Sequence, residues 1–154
     1  MSTDHKNMWP GFIAGQTGDF DGAVMASGAD AYRFVTTVGL GPGVRDRLLV
    51  VVEEIVGNIV THGAPPPGSL ITWRFAAEDG VVRLFFTDAG KHFDPRGTVA
   101  ALPEGEAARA AAAPERSGGV GWRLVLAWCD IAVCAPDNGT NRLELVMRPQ
   151  VSAA

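Results

Sequence analysis

Residues 48–63 read Leu48-Leu49-Val50-Val51-Val52-Glu53-Glu54-Ile55-Val56-Gly57-Asn58-Ile59-Val60-Thr61-His62-Gly63. Leu48, Val52, Ile55, Val56 and Ile59 recur at the three- and four-residue intervals that gather apolar groups on one side of an α-helix. The stretch therefore predicts a helix from about Val44 to His62, stopped by Gly63 and by Pro65-Pro66-Pro67-Gly68. A second spacing runs through the same helix. Glu54, Asn58 and His62 stand at i, i+4 and i+8, which at about 100° per residue makes a single row. A carboxylate, a carboxamide and an imidazole in one row can take a proton, ligate a metal and contact phosphate. The plainer alternative is the solvated side of an amphipathic helix, although Asn is a poor helix former that prefers caps. Glu53 points about 100° away and reads as solvated. His62, beside Gly63, also reads as a C-terminal cation complementing the helix dipole.

Working outward, Ala31, Phe34, Val35 and Val38 give a helix over about Ala23 to Val38, ended by Gly39-Leu40-Gly41-Pro42-Gly43. Downstream, Leu70 to Ala76 and Val81 to Thr87 read as strands joined at Glu78-Asp79-Gly80. An irregular loop follows Asp88, and then an Ala-rich stretch, Val99 to Pro114, whose one large apolar residue is Leu102. That stretch reads as a mobile lid or, alternatively, as a surface helix. An apolar helix then runs to about Cys129, and two last strands, Ile131 to Ala135 and Arg142 to Met147, flank Asp137-Asn138-Gly139-Thr140. Helices between hairpin-connected strand pairs point to an α+β layer with helices on one sheet face. The expected organisation is an N-terminal arm over residues 1–22, extended or poorly ordered, and one domain over 23–150.

Composition narrows the function classes. The chain has 154 residues, 47% hydrophobic and 19% charged, enough for one domain with a core that needs no disulfides. A formal net charge of −4 and the lack of any block of like charge argue against a nucleic-acid surface. Cys129 and Cys134 form no CxxC pair and sit in no His/Cys cluster, so they read as buried thiols of a reducing compartment. No basic-then-apolar leader opens the chain, and no apolar run nears the roughly 20 residues of a membrane span. The expectation is a cytoplasmic protein without a membrane partner.

Two glycine-containing segments complete the pattern. Asp88-Ala89-Gly90 follows a strand, where an aspartate can accept from an exocyclic amine and Gly90 lets a flat ring approach; an ordinary Asp-x-Gly turn is the alternative. Gly118-Gly119-Val120-Gly121 opens a helix, where backbone N–H groups converge on an anion; a hinge at the end of the lid is the other reading. It is neither a P-loop nor a full GxGxxG after a strand.

In order and separation, three segments resemble the motifs of the histidine-kinase-like (GHKL) ATPase superfamily. Glu54-Ile-Val-Gly-Asn58-Ile-Val-Thr-His62-Gly63 is similar to its N box, Asp88-Ala-Gly90-Lys-His-Phe93-Asp94-Pro95 to its G1 box, and Gly119-Val-Gly121 to its G2 box. Phe93-Asp94-Pro95, the Asn-His-Gly ending and Gly139-Thr140-Asn141 most resemble one branch, the bacterial anti-sigma-factor serine kinases. The resemblance spans about Ala23 to Arg148. It implies a Bergerat-type ATP-binding fold, a two-layer α+β sandwich with a mixed, mostly antiparallel sheet and helices on one face.

The resemblance also implies roles. Asn58 would ligate the Mg²⁺ that bridges the ATP phosphates, and Glu54 would be the general base toward a partner's serine. Asp88 would accept the adenine amino group, Gly90 would give the ring room, and Thr140 would sit near the base. His62, Phe93 and Gly118 would join the ATP site, Gly119 and Gly121 would offer N–H groups to the phosphates, and Arg116 would neutralise the transferring group. The implied partners are an anti-anti-sigma-type phosphoacceptor or a sigma factor, with a second copy of the chain in a homodimer. Two departures stand out. Arg109 and Arg116 are the only basic residues between Val99 and Gly119, and Trp122-Arg123 occupies a place where small or aliphatic residues are usual. A switch that binds ATP without transferring phosphate is the alternative they leave open.

Overall fold

In α1 (Ala23–Val38) the residues Ala23, Ser27, Ala31, Phe34 and Val35 are buried on one side, and Gly39, at φ 69°, ends the helix in the left-handed region that glycine enters freely. Pro42 stands in the first turn of α2 (Pro42–Asn58), where its missing N–H costs nothing. Leu48, Val51, Val52, Ile55 and Val56 form the buried face of α2. Beyond Asn58 the helix widens into a single π turn, Ile59–Gly63, closed by Ala64 in the left-handed region. These elements belong to a computed structural model that describes residues 12–112 and 120–148.

The sheet is built from β1 (Phe12–Thr17), β2 (Ile71–Glu78), β3 (Val81–Asp88), β4 (Cys129–Asp137) and β5 (Thr140–Met147). Its order is β1-β2-β3-β5-β4, and all four pairings are antiparallel. The expected α+β fold with helices on one face is what forms, and the described sheet has no parallel pair. Alternation decides which side chains meet the helices: Ile71, Trp73 and Phe75, then Val82, Leu84 and Phe86, then Leu145 and Met147 are buried. Phe75 packs at 6.0 Å from Phe34 of α1 and 6.2 Å from Phe86, joining both layers. The opposite face carries charge, with Arg83 and Glu144 paired at 3.4 Å across β3 and β5.

Two elements differ from the expectation. Residues 12–17, inside the stretch read as an arm, form the edge strand β1, paired with β2 from Phe12↔Ala76 to Thr17↔Ile71. The strand can lie so close because residue 15 is glycine. A Cβ there would run into the Asp30 carboxylate and the Trp73 indole nitrogen, which are themselves hydrogen-bonded at 2.9 Å. In the segment read as a lid, residues 104–112 are helix α3 (Glu104–Ala112), so the surface-helix alternative describes them. Ala107 is fully buried, Leu102 donates its N–H to the Arg123 carbonyl at 3.1 Å, and Glu104 pairs with Arg47 of α2 at 3.2 Å. A small residue suffices as an anchor because α3 packs directly on α4 (Gly121–Trp128). Among the described residues no helix is long and apolar enough to cross a membrane.

Candidate functional site

The C-terminal end of α2, the end of β3 and the start of α4 meet around a cavity of about 460 Å³, a size typical of small-ligand sites. α2 contributes Ile55 and Asn58, and the π turn Ile59, His62 and Gly63. β3 and the loop after it supply Phe86, Asp88, Lys91, His92 and Phe93, and α4 supplies Gly121 and Trp122. Cys134, Asn141, Arg142 and Leu143 close it from β4 and β5. Of the anticipated site residues, Asn58, His62, Asp88, Phe93 and Gly121 thus share one wall. Arg116, Gly118 and Gly119 lie outside the described residues.

Asp88 is buried, and its Oδ1 accepts from the Gly90 N–H at 2.7 Å and from Asn141 Nδ2 at 3.1 Å. Among the described residues nothing donates to Oδ2, which leaves one carboxylate oxygen for a ligand donor. Gly90 is there for a different reason from the one expected. A Cβ on it would stand 2.5 Å from the Gly63 carbonyl oxygen, so the room it makes is taken by the π turn. Lys91 then donates its N–H to that same carbonyl at 2.7 Å. A π turn strung into an α-helix often marks a functional site; here it turns a backbone carbonyl onto the loop that carries Asp88.

At the other end of the cavity, Asn58 buries its Nδ2 without a hydrogen-bond partner among the described residues. A buried unpaired amide is costly and calls for an explanation. The approach of α4 is close: a Cβ on Gly121 would stand 2.5 Å from Glu54 Oε2 and 3.4 Å from Asn58 Nδ2. Glycine at 121 therefore brings the α4 N-terminus, with its outward N–H groups, against the Glu54–Asn58 row. Glu54 is beside the cavity but is not part of its wall. His62 is exposed on the π turn and does line it.

Thr140 is the residue that moves out. It opens β5 and lies on the sheet face away from the helices, whereas its neighbour Asn141 pairs with Asp88 across the ladder and faces the cavity. Counting back in twos from the buried Met147, Leu145 and Leu143 reaches Asn141, a signal present in the sequence. Lys91, His92 and Arg142 were likewise missed. Lys91 is cationic, and Asp88 is the only carboxylate of the described wall, so the cavity offers a positive group although the chain is acidic.

The loop after Asp88 is clamped to β4. Arg96 grips Asp94 through Nε at 3.0 Å and Nη2 at 2.7 Å, and the same Nη2 donates to the Cys134 carbonyl at 3.0 Å. The Arg96 guanidinium and backbone N–H lower the Asp94 pKa to about 2. The Cys134 thiol donates to the Phe93 carbonyl at 3.5 Å, and Phe93 meets Trp122 as a tilted pair with centroids 6.0 Å apart. Trp122 and Phe93 therefore give the cavity an aromatic wall. Burial raises the pKa of both thiols, that of Cys129 to about 12, in keeping with inert core cysteines.

A cation would fit here as a passenger. Among the described residues no group of three or more His, Cys, Asp or Glu side chains could hold a metal ion. One carboxamide beside a helix N-terminus suits a Mg²⁺ ion that keeps most of its ligands as phosphate and water oxygens. The family model described as Histidine kinase-like ATPase domain matches residues 24–147. No curated protein matches the chain.

Proposed function

Because the chain belongs to the histidine kinase-like ATPase domain family, and that membership implies ATP binding, we propose that it is a regulatory protein-serine kinase of the bacterial anti-sigma-factor type. In this reading it binds ATP with Mg²⁺ and, according to nucleotide state, phosphorylates or sequesters a partner protein. The partner is an anti-anti-sigma-type phosphoacceptor or a sigma factor, and the protein works as a cytoplasmic homodimer. The observation that carries the reading is the meeting of Asn58, Asp88 and Gly121, from three separate elements, around one cavity with an unpaired buried amide at one end and a free carboxylate oxygen at the other.

ATP with Mg²⁺ supplies the phosphoryl group and the charge that neutralises it. Asp88 Oδ2 would accept from the ring amine, and the Asn58 carboxamide would hold the cation. The backbone N–H groups at the start of α4 would face the phosphates, with Arg116 completing the set. Glu54 takes the proton of the partner's serine hydroxyl as its oxygen bonds to the γ-phosphorus and the bond to ADP breaks.

One observation favours a second reading, an ATP-gated switch without transfer: Glu54 sits against Gly121 and not in the cavity wall. Glu54→Ala separates the two. With the cognate partner and γ-labelled ATP, a kinase loses about 10²–10⁴-fold in transfer rate, while a switch keeps its partner regulation. A folded wild-type protein that binds ATP and labels no partner serine would defeat the kinase proposal.

A further inference from the structure

We propose that Asn141 is a positioning residue that locks the orientation of the Asp88 carboxylate, with one oxygen toward the ligand, and so makes the cavity select a purine bearing a 6-amino group. This rests on the ATP-binding reading. Asn141 Nδ2 has two hydrogens, and both have acceptors: Asp88 Oδ1 at 3.1 Å and the Gly90 carbonyl at 2.8 Å. The Gly90 N–H donates to the same Oδ1 at 2.7 Å. Gly90 thus gives a donor to the carboxylate and an acceptor to the amide that also holds it, and the three groups close a ring across 53 residues of sequence. Rotating the Asp88 carboxylate would break two hydrogen bonds at once.

The consequence is chemical. With Oδ1 committed to the protein, Oδ2 remains as the cavity-facing acceptor of a residue that is itself buried, and it gains from a donor. An ionised carboxylate oxygen only accepts, so the ligand group that meets it must carry hydrogen. The exocyclic amine of adenine does so; a purine with only hydrogen at position 6 offers no N–H there and leaves Oδ2 unmet. Sites built around such a bond reject the analogue that lacks it. Strand pairing sets the arrangement, because Asp88 and Asn141 stand directly opposite each other in the β3–β5 ladder. At position 140 the same amide would lie on the wrong face of the sheet.

The test is calorimetric titration of the full chain with Mg²⁺ and either ATP or purine riboside triphosphate, which lacks the amino group. Wild-type protein is expected to prefer ATP by about tenfold or more. Asn141→Ala is expected to bring the two affinities within about threefold by weakening ATP alone. Asn141→Ser, which restores one donor, is expected to recover part of the preference. Melting curves without nucleotide confirm that each variant is folded, and if the Ala variant is not, the ratio measured on the Ser variant decides. Equal weakening of both nucleotides, with the preference intact, would overturn the inference and leave Asn141 a structural residue. A wild-type protein that binds both nucleotides equally would overturn it too, while sparing the ATP reading. Binding of neither would overturn the ATP reading itself.

Discussion

The two ends of the cavity are finished to different degrees. Around Asp88 the protein satisfies all but Oδ2 itself: the Gly90 N–H, the Asn141 amide and the Gly63 carbonyl all have protein partners within 3.1 Å. Around Asn58 it does not, since Nδ2 is buried without one among the described residues. The glycines repeat the contrast. A Cβ at Gly90 and one at Gly121 would each meet an oxygen at 2.5 Å, but the first is backbone and the second the far end of the Glu54 side chain. One end is a rigid socket, shaped before any ligand arrives. The other is held open at some expense in stability, the pattern expected where a ligand supplies the missing partners.

The sharpest way to break the comparison is at the glycines. Gly90→Ala has to displace the Gly63 carbonyl and the Lys91 hydrogen bond with it, and is expected to destabilise by about 3 kcal/mol. Gly121→Ala meets the end of a side chain and not backbone, and is expected to cost less, about 1 kcal/mol. Thermal or denaturant unfolding of the two variants side by side measures the difference; equal losses would mean that the phosphate end is as rigid as the base end.

A smaller effect, with the opposite sign, is expected at Asn58. Asn58→Leu removes the unpaired buried amide and is expected to stabilise the nucleotide-free protein by about 1 kcal/mol while abolishing the response of its melting temperature to Mg²⁺ and ATP. A loss of stability without nucleotide would show that the amide is already satisfied.

The least effect is expected at the Asp94–Arg96 clamp, which is on the surface. The Asp94 pKa is lowered from 3.8 to about 2 in the folded chain. Its contribution is therefore whole above pH 3.8 and fades as pH falls toward 2. Asp94→Asn should leave unfolding at pH 7 slightly easier and remove only that acid-side slope; an effect confined to neutral pH would contradict the assignment.

How far the sequence reached differs from element to element. The α2 stripe was legible because helix periodicity depends on neighbours three and four residues apart. The β2–β3 hairpin and the last two strands were legible from apolar runs around glycine turns. β1 was not, because Phe12-Ile-Ala-Gly-Gln-Thr17 is short and its pairing depends on the Trp73–Asp30 contact that Gly15 admits. α3 was ambiguous because an alanine helix declares no face until a partner such as α4 is placed against it.

In the site, Asn58, Asp88 and Gly121 were marked by residue type and spacing alone, and the family followed from their order. Tertiary structure decided Asn141 over Thr140, the Gly63 carbonyl as the reason for Gly90, and the place of Lys91 in the lining. The physical reason is range. Propensity, periodicity and turn chemistry act within a few residues and are written in the chain itself. Strand register and the close approach of two backbones are set by contacts between segments dozens of residues apart, and a shift of one position exchanges the side chain that faces the ligand for the one that faces away.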